Sequence, residues 1–233
     1  MNSTSQKKIA IVAGAGADLG IALCKRLIKA DYLVAGLSRS AEPQDSMGES
    51  YLPIACDLTD NASVDAAITE AETRLGEASV YIHNAASLLR NEFLATTSAD
   101  FVKQWNVTCL GAVNGIQRIL PSMLVAKSGT ILVTGATASI KAGAGFSAFS
   151  SAKFALRGLT QSLAREYSPQ GIHIAHILVD GAIWGWQAEH KFDRDQHDCL
   201  QPEAVAETYL HLINQHRSAW THELDLRPDI ESF

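Results

Sequence analysis

From residue 9 onward, short apolar runs alternate with longer stretches of helical spacing. Ile9–Ala13, Leu33–Leu37, Leu52–Ala55, Val80–Ile82, Thr130–Val133 and Ile172–Val179 are nearly continuous in hydrophobic residues. Runs of this kind predict strands buried on both faces, and Glu223–Leu226 reads as a final short strand. Leu19–Ala30, Val64–Leu75, Ala99–Leu124 and Ala148–Tyr167 repeat apolar residues at helical intervals. A further helix starts at Pro202-Glu-Ala-Val, with proline at an early position where its missing N–H costs nothing. Repeated strand–helix alternation predicts one α/β domain over residues 1–233. Its expected form is a Rossmann-like, doubly wound parallel sheet of about seven strands, covered on both faces in a three-layer α/β/α sandwich. A ligand crevice is then expected beyond the strand C-termini, where the strand order reverses. The stretch 184–200 is polar and aromatic with no clear strand, which suits a mobile lid.

Composition narrows the class. A hydrophobic fraction of 47% and a charged fraction of 19% suit one globular core in 233 residues. The net charge of −6 gives no global attraction to nucleic acid or anionic membrane. No apolar run reads as long enough to span a bilayer. The polar start before Ile9 and the glycine-broken segment behind it do not resemble a signal peptide. Cys24, Cys56, Cys109 and Cys199 lie far apart with no CxxC pair, so buried thiols in a reducing cytoplasm are expected and a metal site is not.

The first strand runs into Gly14-Ala-Gly16-Ala-Asp18-Leu19-Gly20 and then a helix, an arrangement in which backbone amides and the helix dipole cradle phosphate. Asp18 also stands where a helix N-cap is expected. The second strand ends in Ser38-Arg39, with no acidic side chain for ribose hydroxyls. A guanidinium there suits a 2′-phosphate.

With Phe149-Ser-Ser-Ala-Lys153, these motifs resemble the short-chain dehydrogenase/reductase family over nearly the whole chain, from Ile9 to Leu226. In that family the glycine motif is Gly-x-x-x-Gly-x-Gly. Gly14 and Gly20 match it and Asp18 replaces the middle glycine. Cys56-Asp57-Leu58 resembles the pair beside the adenine, and His83-Asn84-Ala85-Ala86 resembles Asn-Asn-Ala-Gly, with His83 read as a hydrogen-bonded structural residue. The resemblance implies cofactor contacts from Gly14, Gly16, Asp18, Leu19, Gly20, Ser38, Arg39, Asp57, Leu58, Asn84, Ala85, Lys153, Gly181 and Ile183, with NADP(H) favoured over NAD(H).

The family's catalytic tetrad is Asn, Ser, Tyr and Lys. Asn106 and Lys153 match. Phe149 stands at the tyrosine position, and the usual serine spacing falls on Ala136, with the hydroxyl of Thr137 beside it. Some relatives carry the tyrosine at a longer spacing to the lysine, but that position is Phe146. Asp180-Gly181-Ala182-Ile183 stands where relatives have Pro-Gly-x-Ile. These departures imply an atypical subgroup and an oxidoreductase of divergent mechanism. The alternatives are a catalytically silent binding or regulatory protein, or a non-redox lyase or isomerase with His83 or Asp180 as base. The resemblance also implies a homodimer or homotetramer built on the two long helices, through Ala112, Val113, Ala155, Leu156, Leu159 and Leu163. Trp184, Trp186, His190, Phe192 and His197 suggest an aromatic wall to the substrate pocket.

Overall fold

In the computed structural model, which describes residues 7–191 and 193–230, the apolar runs form seven parallel strands. They are β1 (Lys8–Ala13), β2 (Tyr32–Ser38), β3 (Tyr51–Ala55), β4 (Val80–His83), β5 (Gly129–Thr134), β6 (Ile172–Val179) and β7 (Glu223–Leu226). Their order is β3-β2-β1-β4-β5-β6-β7, so the connections reverse direction between β1 and β4. Parallel pairing fixes the register there, with Ala13 opposite Leu37 on one side and His83 on the other.

The helices are α1 (Leu19–Ile28), α2 (Asn61–Leu75), α3 (Ser98–Trp105), α4 (Gly111–Ala126), α5 (Ser147–Tyr167), α6 (Trp186–Lys191) and α7 (Pro202–Ile213). One core lies between the sheet and α2, α4 and α5, around Ile68, Tyr81, Ile116 and Leu156. The other lies under α1 and α7, around Leu23, Leu27, Val205 and Tyr209. Strands buried on both sides explain the unbroken apolar runs. Local signals set the helix boundaries. Asp60 accepts the Ala62 N–H to start α2, which ends at Gly76. Thr97 and Asp100 close a capping box at α3.

Two expectations about helices change. Ala99–Leu124 reads as one helix and is helical throughout, but a π-helical turn at Asn106–Leu110 divides it into α3 and α4. Such turns insert one residue into the ladder and re-aim the side chains around them. Nor does the sequence's lack of a long apolar run hold without qualification. The continuous helical stretch Ser98–Ala126 is long and apolar enough to cross a membrane by those measures, but half of its most apolar window is buried inside the protein. Its apolar face is spent on the core.

Candidate active site

The switch point opens into a cleft of about 2190 Å³ at the C-terminal ends of the strands. Its nucleotide half is lined by Gly14, Gly16, Asp18 and Leu19 after β1, by Ser38 and Arg39 after β2, by Asp57 and Leu58 after β3, and by Asn84 and Ala85 after β4. The other half receives Asn106, Ala136, Thr137, Phe149 and Lys153, with Gly181 and Ile183 after β6. Of the predicted site residues, Gly20 is placed elsewhere: it is buried beneath the loop, where a Cβ would collide with the Gly14 carbonyl oxygen. Its role is to let α1 pack against the turn.

Asp18 corrects the capping expectation. It occupies the N-cap position with φ 59° and ψ −119°, but its side chain accepts no hydrogen bond from the helix. That backbone conformation suits glycine and is costly for any residue with a Cβ. Its carboxylate lies against Gly185 instead, where a Cβ would overlap the carboxylate oxygens. Residue 185 must therefore be glycine, with φ 154° and the Asp18 carboxylate in the space a Cβ would fill.

At the other end, Lys153 is buried and donates from Nζ to the Thr134 carbonyl oxygen at 2.8 Å. Burial pushes its pKa down to about 8. The Phe149 ring centroid stands 5.9 Å from Nζ. Two buried histidines flank this region. His83 is pushed down to about 3 by burial first and the Lys153 charge second, and its Nε2 lies 3.1 Å from the Thr108 carbonyl oxygen. His176, on β6, is pushed to about 4 by the same causes. His83 is therefore hydrogen-bonded as expected, and both rings are neutral at physiological pH.

The depressed lysine pKa has a measurable consequence. Between pH 8 and 10.5 the unfolded chain binds this proton and the folded protein releases it, so its contribution to stability rises with pH across that window. In urea melts, the unfolding free energy of the wild type minus that of Lys153→Met should increase by about 3 kcal/mol from pH 7 to pH 10.5. A flat difference would mean that the ammonium is solvated.

Thr134 is a hub, a role the sequence does not set apart from the other hydroxyls of residues 134–139. Its hydroxyl donates to Asn84 Oδ1 at 3.0 Å and lies 2.7 Å from the Tyr209 hydroxyl. Its single proton is committed to Asn84, so Tyr209 is the donor in the second bond. Asn84 in turn donates to the Gly14 carbonyl oxygen at 3.1 Å. Lys153 and Tyr209 thus meet Thr134 from opposite faces of the sheet. Tyr209 is fully buried, burial raises its pKa, and no tyrosine lines the cleft among the described residues.

Of the hydroxyls beside Ala136, Thr137 is engaged as a donor and Ser139 as an acceptor. Ser139 accepts the Ala136 N–H at 3.1 Å. Thr137 donates to Asp180 Oδ1 at 2.5 Å, and Arg227 Nη1 lies 3.6 Å from Asp180 Oδ2. Asp180 is buried and does not line the cleft.

The segment after β6 is tied at its base by a parallel bridge between Ile183 and Leu200. The aromatic wall expected there is not found among the described residues. The segment contributes Ala188, Asp193 and Arg194 to the cleft, Trp184 lines a separate crevice beside Asp18, and His197 is exposed. Phe192 and the side chain of Trp186 lie outside the described residues.

Residues 8–182 match the family model described as short chain dehydrogenase. The chain belongs to the short-chain dehydrogenase family. That membership supports an NAD(P)-dependent oxidoreductase. It is 29% identical over 203 residues, 81% of each chain, to the 2-(R)-hydroxypropyl-CoM dehydrogenase of Xanthobacter autotrophicus. It also resembles a short-chain dehydrogenase from Rhodopseudomonas palustris at 31% identity and a TM-score of 0.82, covering 95% of this chain and 98% of that one. ElxO, in a structure of a tyrosine-to-phenylalanine variant with NADPH bound, shares the fold at 23% identity and a TM-score of 0.85, over 94% of this chain and 96% of that one.

Proposed function

We propose that this short-chain dehydrogenase binds NADP(H) in preference to NAD(H) and transfers hydride without the tyrosine–serine pair its relatives use. The observation that carries the reading is Lys153. Burying its ammonium costs about 3 kcal/mol by the depression of its pKa, and no carboxylate is paired with it among the described residues. A leucine or methionine would fill a purely structural position at lower cost. A lysine kept there at the cleft wall, with Asn106 opening the π-turn beside it, has a ligand to hold. The bound cofactor supplies a hydride. Lys153 and Asn106 orient it, and solvent supplies the proton that balances the transfer.

Arg39 supports the 2′-phosphate preference. It lines the cleft after β2 and helps Thr59, the larger influence, to hold the Asp57 carboxyl below its usual range. The Tyr-to-Phe variant of ElxO with NADPH bound supports the view that a chain of this fold can exchange a tyrosine for phenylalanine and keep its cofactor. The test is a titration with NADPH and NADH, followed by fluorescence and thermal shift. NADPH should bind more tightly than NADH, Arg39→Ala should narrow the gap, and Lys153→Met should weaken both. No response at millimolar NADPH would refute the reading.

Phe149→Tyr alone should change carbonyl reduction by less than about tenfold, because Ala136 offers no second hydroxyl. Adding Ala136→Ser should raise it by about 100-fold or more. Robust reduction by the single variant would show that the serine position is misassigned. A catalytically silent binding protein is the second reading, favoured by the absence of a tyrosine from the cleft lining among the described residues. NADPH oxidation lost on Lys153→Met would eliminate it. The lyase or isomerase alternative has less support, since neither His83 nor Asp180 lines the cleft.

The proposal extends to a homodimer or homotetramer. Of the residues the resemblance implies, Ala112 and Leu156 are fully buried within the chain, and Val113, Ala155, Leu159 and Leu163 are half-buried. Val102, Trp105 and Phe154 are the exposed apolar side chains on α3 and α5. Light scattering on the wild type and Phe154→Glu tests this assembly.

A further inference from the structure

The chain carries a net charge of −6, but the cleft has the opposite balance. Six lysine and arginine side chains line it against three carboxylates, Asp18, Asp57 and Asp193. Arg39 and Lys153 have roles in the proposed cofactor site. Arg90, Lys103, Lys141 and Arg194 do not, and none of these four makes a side-chain hydrogen bond or ion pair among the described residues.

Each comes from a different part of the fold. Arg90 lies between β4 and α3, Lys103 on α3, Lys141 between β5 and α5, and Arg194 after α6. Their position relative to the reacting end can be traced through aromatic contacts. The Arg90 guanidinium lies 5.7 Å from the Phe146 ring, which lies 6.5 Å from Phe149, whose ring is 5.9 Å from Lys153 Nζ. Asn91 N–H donates to the Gly145 carbonyl oxygen at 2.8 Å, so the loops carrying Arg90 and Phe146 are tied together. The Lys141 main-chain N–H donates to the Thr137 carbonyl oxygen at 3.0 Å, and its side chain is exposed. Lys103 is three residues before Asn106, on the same helical face.

Four exposed cations that line one cleft without an ion-pair partner among the described residues gain no attraction from one another. A carboxylate, sulfonate or phosphate placed among them would supply that attraction and accept charge-assisted hydrogen bonds, with the guanidinium of Arg90 able to grip two oxygens at once. The two phenylalanine rings between Arg90 and Lys153 offer an apolar surface to the part of the ligand that joins the anion to the reacting carbon.

We propose that the substrate is an organic anion: a hydroxy or oxo compound bearing an oxyanion group, recognised by Arg90 and Lys141 with Lys103 and Arg194 adding to the field. This rests on the reading of the cleft as a dehydrogenase site, and the experiment separates the two. Benzoate, benzenesulfonate and phenyl phosphate are titrated by calorimetry against benzamide and benzyl alcohol, with and without saturating NADPH, on the wild type, Arg90→Gln and Lys141→Gln. The three anions should bind at least tenfold more tightly than the neutral probes. Each substitution should cut anion affinity about tenfold while leaving the neutral probes and NADPH affinity unchanged, and raising salt to 0.5 M should weaken only the anions. Ranking of the three anions identifies the oxyanion favoured. Equal binding of anions and neutral probes, or no effect of either substitution, overturns the proposal. Absence of NADPH binding together with retained anion preference would instead overturn the cofactor reading alone.

Discussion

Asp18→Gly is expected to tighten NADPH binding by about 10- to 100-fold and to stabilise the free protein. A carboxylate about 5 Å from a phosphate charge costs on the order of 3 kcal/mol at an effective dielectric of about 20, and screening in a half-open cleft reduces this. Asp18 is half-buried at the mouth of the glycine loop, and its carboxylate makes no compensating bond to the helix amides. Those amides remain available to a pyrophosphate, but the charge beside them opposes it. The stability gain has a separate origin. With φ 59° and ψ −119°, Asp18 bears a conformational penalty of about 1–3 kcal/mol. Glycine removes it and returns about 0.5–1 kcal/mol to the unfolded chain as entropy. Asp18→Asn separates the two effects, because it removes the charge and keeps the side chain. It should recover most of the affinity and little of the stability. Fluorescence titration at 0.05 and 0.5 M salt, with parallel urea melts, reads both quantities. Unchanged affinity in the glycine and asparagine variants would mean that the carboxylate never senses the phosphates.

Thr134→Val is expected to destabilise the protein by about 2–4 kcal/mol, a large share of the 5–15 kcal/mol that holds a typical domain together. The isosteric exchange keeps the packing and deletes one hydroxyl with two partners. The Tyr209 hydroxyl is left buried without an acceptor, and Asn84 Oδ1 loses its donor. Each orphaned group costs about 1–3 kcal/mol. Asn84 is half-buried and regains part of its loss from water. Removing the stranded hydroxyl as well, in Thr134→Val with Tyr209→Phe, should restore about 1–2 kcal/mol relative to the single variant. Lys153 bonds to the main-chain carbonyl of Thr134, so the pH dependence assigned to it should survive in both variants. A loss below 1 kcal/mol in Thr134→Val would show that the hub is not coupled to stability.

The two predictions differ in how far the residues themselves reveal them. Asp18 is visible as a departure in a glycine motif, yet its conformation and its contact with Gly185 are not. The two residues are far apart in the chain, and only the closure of the segment after β6 over the first turn brings them together. Thr134 carries no local signal at all. It is a polar residue at the end of an apolar run, and its partners come from β4 and α7.

The seven strands, most helix boundaries and the family motifs were legible because each rests on local chemistry. Apolar runs mark strands covered on both sides, helical spacing marks one buried face, and Asp60, Thr97 and Gly76 mark helix ends. The cleft residues follow from those motifs because a parallel sheet places every βα turn at the same end. Three-dimensional packing decided the remainder. It turned Gly20 into a packing contact, placed a π-helical turn in a continuous helical pattern at Asn106, and engaged Thr137 with a buried Asp180. It also gathered four cations from four separate parts of the fold into the lining of one cleft in an otherwise acidic protein. Periodicity encodes which face of a segment is buried. Which distant side chain meets it there depends on how the segments cross, and that is fixed only when the two cores close on the sheet.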